Sequence, residues 1–68
     1  MNVNYKKLWK LLIDKDINKS ELRKRSGIAA STLSRMNKNE YVSLEVLVKI
    51  CVSLDCSIGD IVEIVKDN

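Results

Sequence analysis

The sequence predicts an all-α fold in which five helices form one compact bundle, a single domain over residues 1–68. The chain has two glycines and no proline, so few residues would interrupt helices. Apolar residues recur at helical spacing in successive segments, and several segments open with a residue type that caps helix N-termini. A domain of this size hides only roughly 60% of the surface of its unfolded chain, which allows one small core and no deep active-site cavity.

The first predicted helix covers the stretch "YKKLWKLLIDK", residues 5–15. Leu8, Leu11 and Leu12 share a helical face opposite several lysines, and Trp9 is expected to pack half-buried beside them. Alone, such a basic amphipathic helix could lie on a membrane, but exposing its leucines would deprive the bundle of its core. No apolar run approaches the roughly 18 residues of a membrane span and no secretory leader is visible, so we expect a cytoplasmic protein without a membrane partner.

The second predicted helix begins near Lys19 and ends before Gly27. Asn18 can cap its first amides, and Glu21 stands three residues later, in the position that completes a capping box. Gly27 is the residue type that tolerates the left-handed backbone at which many helices stop.

A third helix follows the glycine, with Leu33 and Met36 on its inner face beside Ile28. Two short helices joined by a tight, glycine-containing turn have the spacing of a helix-turn-helix unit, here over residues 18–38. The outer face of this third helix is made of small, polar and basic residues, so it can approach another surface closely.

Two further helices are predicted in the C-terminal half, and each begins with a serine cap. The first follows Ser43, and its inward stripe is expected to consist of Leu44, Leu47, Val48, Cys51 and Leu54. The second follows Ser57, with Asp60 in the capping-box position. Its apolar side chains should cover the end of the bundle: Ile58, Ile61, Val62 and Val65.

Charge is distributed unevenly along the chain. Residues 1–39 hold ten Lys/Arg against three acids, a net charge of +7, whereas residues 40–68 carry a net charge of −4. A basic half of this kind suggests a polyanionic partner on one side of the molecule. The chain has two cysteines and no histidine, so it cannot assemble a four-ligand zinc site or a Cys/His nucleophile. We expect a protein that is not an enzyme and binds no metal or cofactor.

The segment "INKSELRKRSGIAASTLSRMNKNEYVSLEVLVKICVSLDCSIGDIVEI" resembles the phage-repressor and Cro-type helix-turn-helix family, also called the xenobiotic-response-element family. Within it, the chain is similar to small stand-alone regulators of Gram-positive bacteria. The features that carry the resemblance occur in the family's order: Asn18, Leu22, Gly27, Ile28 and Leu33. The resemblance implies a lambda-repressor-like fold and a sequence-specific DNA-binding transcriptional regulator, which we expect to be a repressor.

The resemblance also implies which residues contact DNA. Bases in the major groove would meet the exposed side of the third helix: Ala30, Ser31, Ser34 and Arg35. Of these, the arginine is the side chain able to grip a guanine with two hydrogen bonds. Phosphate contacts are expected at Lys19, Thr32, Lys38, Asn39 and Tyr41.

The chain departs from the common family pattern at six positions. At two of them, Ala30 and Ser31 stand where Gln or Arg is most often found at the first base-reading positions. Lys19 stands where a phosphate-binding Gln is usual, and Ala29 replaces the usual Ser or Thr cap of the third helix. Leu12 and Asn37 replace a buried Arg–Glu pair, and losing both charges together avoids leaving one buried charge unpaired.

Family members usually bind palindromic operators as two-fold dimers, so double-stranded DNA and a weak homodimer are the expected partners. The dimer interface is predicted at Ile58, Ile64 and Val65. The alternative is a protein-interaction module of the same fold, antitoxin-like or an accessory regulator, with weak DNA binding. The small side chains Ala30 and Ser31 and the acidic half of the chain favour this alternative.

Overall fold

The computed structural model describes residues 2–66 and is mostly helical. Within these residues it has four α-helices: α1 (Lys6–Asp14), α2 (Lys19–Ser26), α3 (Ala30–Asn37) and α4 (Leu44–Leu54). A single 3₁₀ turn, Ile58–Asp60, follows α4. Two short strands, β1 (Asn2–Asn4) and β2 (Glu63–Val65), lie at the two ends of the described chain.

The predicted inner face of α1 is confirmed at two of its three leucines. Leu8 and Leu12 are buried, Leu11 is half-buried and packs against the core, and the lysines of the helix are exposed. Trp9 is half-buried and packs against the core, as expected. The leucines of α1 therefore belong to the core of the domain.

The predicted start and end of α2 are both confirmed. The Asn18 side chain accepts a hydrogen bond from the backbone N–H of Glu21 (2.8 Å). Gly27 ends the helix in the left-handed region, with a φ of 76°, and its N–H donates to the Arg23 carbonyl (2.9 Å). A residue with a Cβ is strained in this backbone conformation, so the glycine sets the short turn that leads into α3.

α3 begins without a side-chain cap, because Ala29 occupies the N-cap position and has no acceptor to offer. Its last turn leads to Asn39, whose φ of 58° lies in the left-handed region that asparagine tolerates better than most residues. The chain then reverses, and the N–H of Glu40 donates to the Arg35 carbonyl (3.0 Å). Met36 is the fully buried side chain of this helix, and Leu33 is half-buried.

The predicted inward stripe of α4 is wrong at two positions. Ser43 caps the helix as expected, but Leu44 is 64% exposed and Val48 46% exposed. Leu54 is buried as predicted, Leu47 and Cys51 are half-buried, and Ile50, which the predicted stripe left out, is fully buried. The error has a physical cause, because apolar residues occupy most of the circumference of α4 and the periodicity cannot identify the buried side. Packing against α2 selects it.

The predicted fifth helix is also wrong, and a turn and a strand replace it. The Asp60 carboxylate accepts a hydrogen bond from the Ser57 N–H (2.9 Å), so the predicted capping box forms, but the helix stops after one 3₁₀ turn. β2 then pairs antiparallel with β1, with Val3 opposite Ile64. The segment "IVEIV", residues 61–65, is rich in β-branched residues that favour extended backbone, and β1 supplies a strand partner.

The core is one cluster that draws side chains from every helix. Within residues 2–66 its buried members are Tyr5, Leu8, Leu12, Leu22, Ile28, Met36, Ile50, Leu54 and Ile61. Tyr5 is the one with a polar group, and its hydroxyl donates to the Glu40 carbonyl (2.6 Å). Its backbone N–H donates to the side-chain oxygen of Asn39 (3.3 Å). The start of α1 is therefore tied to the loop that follows α3.

Replacing Tyr5 by phenylalanine should lower the free energy of unfolding by about 1 kcal/mol, since the Glu40 carbonyl loses its donor. Burial raises the pKa of Tyr5 above its ordinary value of 10.0. The protonated hydroxyl of Tyr5 therefore contributes fully to the free energy of unfolding below pH 10, and this contribution is lost as the pH rises through the raised pKa. Urea unfolding of both proteins at neutral and alkaline pH checks this. Equal stability at neutral pH would contradict it.

The revised inner face of α4 predicts different costs for two alanine substitutions on one helix. Ile50→Ala removes a fully buried side chain and should cost about 2–5 kcal/mol. At a protein concentration low enough for the chain to be monomeric, Val48→Ala shortens an exposed side chain and should change stability by less than about 0.5 kcal/mol. Thermal unfolding of the two variants measures the contrast, and similar losses from both would mean that α4 packs on its other side.

Candidate nucleic-acid interface

The helix-turn-helix unit consists of α2, the three-residue turn Gly27–Ala29, and α3. The N–H groups of Thr32 and Leu33 both donate to the Ala29 carbonyl (3.1 and 3.2 Å), so the first turn of α3 closes on the backbone of the turn. Two buried side chains, Leu22 and Met36, fasten the two helices to the core. Each helix therefore keeps most of its surface outside the core.

The four residues predicted to contact bases lie together on one face of α3. Ala30, Ser31, Ser34 and Arg35 are all exposed. Their spacing places them within one side of an α-helix, and Met36 lies on the opposite side. Three of the four side chains are small, so another surface can come close to the backbone of α3. Arg35 supplies the one long, charged side chain of this face.

The residues predicted to bind phosphates lie in two places. Lys38, Asn39 and Tyr41 line a shallow cleft at the C-terminal end of α3, which also includes Arg35 and the acidic residue Glu40. Thr32 is half-buried on the side of α3. Asn39 already accepts a hydrogen bond from the Tyr5 N–H through its side-chain oxygen. Its side-chain amide N–H groups are the part of Asn39 that could donate to a phosphate.

Lys19 lies apart from this cleft, at the start of α2, and has partners that sequence reasoning missed. Its ammonium lies 2.5 Å from the side-chain oxygen of Asn37 and 4.2 Å from the centre of the Trp9 ring. An ammonium over an aromatic face is attracted by the negative charge of that face. Asn37, which replaces the usual glutamate, therefore has a new partner on α2. The only indication of this contact in the sequence was the replacement of the usual glutamate by Asn37.

The surface around the unit is positively charged. Exposed basic side chains on α2 include Arg23, Lys24 and Arg25, and α3 adds Arg35. Glu21 partly offsets this charge, since its carboxylate lies 3.3 Å from Arg25. The net charge of +7 over residues 1–39 thus belongs to the half of the chain that contains both helices.

The two cysteines lie near each other at the end of α4. The Cys56 N–H donates to the Cys51 carbonyl (3.0 Å), and both side chains are half-buried. Burial and the neighbouring Cys51 raise the pKa of the Cys56 thiol to about 11, so that thiol is protonated near neutral pH. Among residues 2–66, no group of three acidic or cysteine side chains has the geometry to hold a metal ion. No helix in the described part of the chain is long and apolar enough to cross a membrane.

The three residues predicted to form a dimer interface do not share one face. Ile58 begins the 3₁₀ turn and lines a cleft with Val48 and Val52 of α4. Ile64 and Val65 are exposed and follow each other along β2. Neighbouring residues on a strand point to opposite faces, so a flat partner surface would contact one of these two. The dimer interface itself stays a prediction.

Comparison with known proteins relates this arrangement to a protein family and to a solved structure. The model of a family described as "Cro/C1-type HTH DNA-binding domain" matches residues 7–67. The chain is also similar to the crystal structure of the transcriptional regulator VanUg, Form II, at 55% sequence identity. That match covers 91% of this chain and 83% of the other, with a TM-score of 0.89. No curated protein is significantly similar to the chain.

Proposed function

Because the chain belongs to the Cro/C1-type helix-turn-helix DNA-binding domain family, we propose that this DNA-binding transcriptional regulator is a repressor that inserts α3 into the major groove of its operator. The family assignment points to a regulator without enzymatic activity. The transcriptional regulator VanUg, similar over most of both chains, supports the regulatory role. A repressor of this size would act by occupying DNA that the transcription machinery needs.

The observation that carries the proposal is the exposed face of α3. The major groove of B-form DNA admits an α-helix, and each base pair presents a distinct pattern of donors, acceptors and methyl groups there. Ala30 would offer its methyl to a thymine, and Ser31 and Ser34 would donate or accept hydrogen bonds. Arg35 would grip a guanine through its O6 and N7 atoms. Because the other three side chains are small, the arginine would provide most of the sequence discrimination.

Phosphate contacts on both sides of this face would fix the position of α3 on the duplex. Lys38, Asn39 and Tyr41 would contact phosphates of one DNA strand beside the C-terminal end of α3. Thr32 would contact a phosphate nearer the start of α3. Lys19 would meet the backbone at the start of α2. Asn37 and Trp9 hold its ammonium in place, so less side-chain freedom would be lost on binding.

A homodimer on a palindromic operator would double the contacts available to so small a domain. One helix-turn-helix covers about half of such an operator, and the two recognition helices would lie one DNA turn, roughly 34 Å, apart. The competing function is a protein-interaction module with weak DNA binding, favoured by the small side chains of Ala30 and Ser31. Salt dependence separates the two functions, because phosphate contacts release counterions and apolar protein contacts do not.

Lys19→Ala and Lys38→Ala should each weaken binding to all DNA sequences alike and reduce the log–log salt slope by about 0.9. Fluorescence anisotropy on a single half-site, at several salt concentrations, measures this. Lys49→Ala is the matched control, because Lys49 lies on α4 beside Glu45 and should leave the slope unchanged. A slope near zero for the unmodified protein would favour the protein-interaction module instead.

Arg35→Ala should cost about 1–3 kcal/mol on a cognate site and relax the preference at a single G·C pair. The cognate site is first selected from random DNA. Arg35→Lys keeps the charge but loses the two-pronged hydrogen bond, so it should retain binding to random DNA and lose the G·C preference. If Arg35→Ala lowers affinity equally for cognate and random DNA, Arg35 contacts a phosphate.

A further inference from the structure

We infer, building on the proposed function, that a second copy of this chain docks on the exposed stripe of α4, formed by Leu44, Val48 and Val52 and extended by Ile58. The two copies pack α4 against α4 in an antiparallel, two-fold arrangement. This α4 stripe supplies the dimer that a palindromic operator requires.

The α4 stripe is a continuous apolar surface. Its three helical members are spaced four residues apart, so they lie above one another on one side of α4. Leu44 is 64% exposed and Val52 77% exposed, while Ile50 and Leu54 bury the opposite side of the helix. Ile58 continues the surface, because it lines the same cleft as Val48 and Val52.

The charges that flank the stripe indicate a second copy as the occupant. Glu45 and Lys49 lie side by side along one edge, 3.3 Å apart. In the proposed dimer, a two-fold axis passes near Val48, perpendicular to the plane that contains both α4 helices. This symmetry makes the two helices antiparallel and places the charged edges of both copies on the same side of that plane. Glu45 of each copy then comes opposite Lys49 of the other, with an axial offset of about 3 Å that long side chains can span. The edge is therefore complementary to itself, as an isologous interface requires.

Other occupants fit this surface less well. DNA is a poor occupant, because the glutamate and the lysine of this edge cancel each other's charge and leave no net positive charge to attract phosphates. The apolar residues of β2 are a weaker dimer surface, because Ile64 and Val65 point to opposite faces of a two-stranded ribbon. The stripe also lies outside the α2–α3 unit, so a dimer formed through α4 leaves the residues of α3 available for DNA.

Val52→Asp tests the interface, and Ile13→Asp is its control. Both side chains are 77% exposed, and Ile13 lies on α1 and is not one of the residues that form the stripe. Sedimentation velocity should show dimers in the unmodified protein and in Ile13→Asp, and monomers in Val52→Asp. Val52→Asp should also lose cooperative binding to a palindrome. Its affinity for a single half-site should stay within about twofold of the unmodified protein, because Val52 lies on α4 and distant sites that share no contacts act independently.

A charge exchange tests the antiparallel arrangement itself. Glu45→Lys gives an edge with two lysines, and Lys49→Glu gives an edge with two glutamates. Each variant should dimerise more weakly than the unmodified protein, because like charges face each other across the two-fold axis. In an equimolar mixture, the dissociation constant of the heterodimer should be roughly tenfold lower than that of either variant's homodimer. In the heterodimer, the two lysines of one variant face the two glutamates of the other.

Three results would overturn the inference. The first is an unmodified protein that is monomeric and occupies palindromes without cooperativity. The second is Val52→Asp with unchanged sedimentation, and in that case loss of the dimer in Ile64→Asp would move the interface to β2. The third is a variant mixture that associates no better than its components. Absence of half-site binding in the unmodified protein would instead contradict the proposed function and leave the sedimentation test of the dimer standing.

Discussion

The attachment of α2 and α3 to the core through Leu22, Ile28 and Met36 is the constraint on which the rest of the structure depends. Each of these two helices has eight residues and buries one side chain completely, and Ile28 in the turn between them is buried as well. Isolated helices of this length are marginal in water, so these contacts are what keep them folded and oriented. Because so few residues are needed for packing, the remaining residues of α3 are available for another partner.

The tie between Tyr5 and the loop after α3 extends this constraint to the N-terminal end of the chain. The hydroxyl of Tyr5 fixes the Glu40 carbonyl, and Asn39 accepts from its backbone. The loop that carries part of the candidate phosphate contacts is thereby held against α1. The basic α2–α3 surface and the apolar α4 stripe then lie on different elements, so the proposed binding of DNA and the proposed docking of a second copy do not compete for the same residues.

The sequence predicted the features that depend on local chemistry. The Asn18 and Ser43 caps and the left-handed Gly27 follow from residue type and position, and they were confirmed. Features that depend on distant partners were missed. The periodicity of "IVEIV" fits a helix as well as a strand, and the deciding partner, β1, is about sixty residues away in the chain. The contact of Lys19 with Asn37 and Trp9 likewise exists only after three helices have packed.

The central claim is that α3 presents the DNA-binding face, and amide chemical shifts measured during titration with a single half-site test it most directly. A nitrogen-15 labelled sample reports every backbone N–H separately, and a half-site removes any contribution from dimerisation. We expect the largest shift changes at Ala30, Ser31, Ser34 and Arg35 and at the start of α2, with little change at Val48 and Val52. Largest changes along α4 or β2, with α3 unaffected, would contradict it.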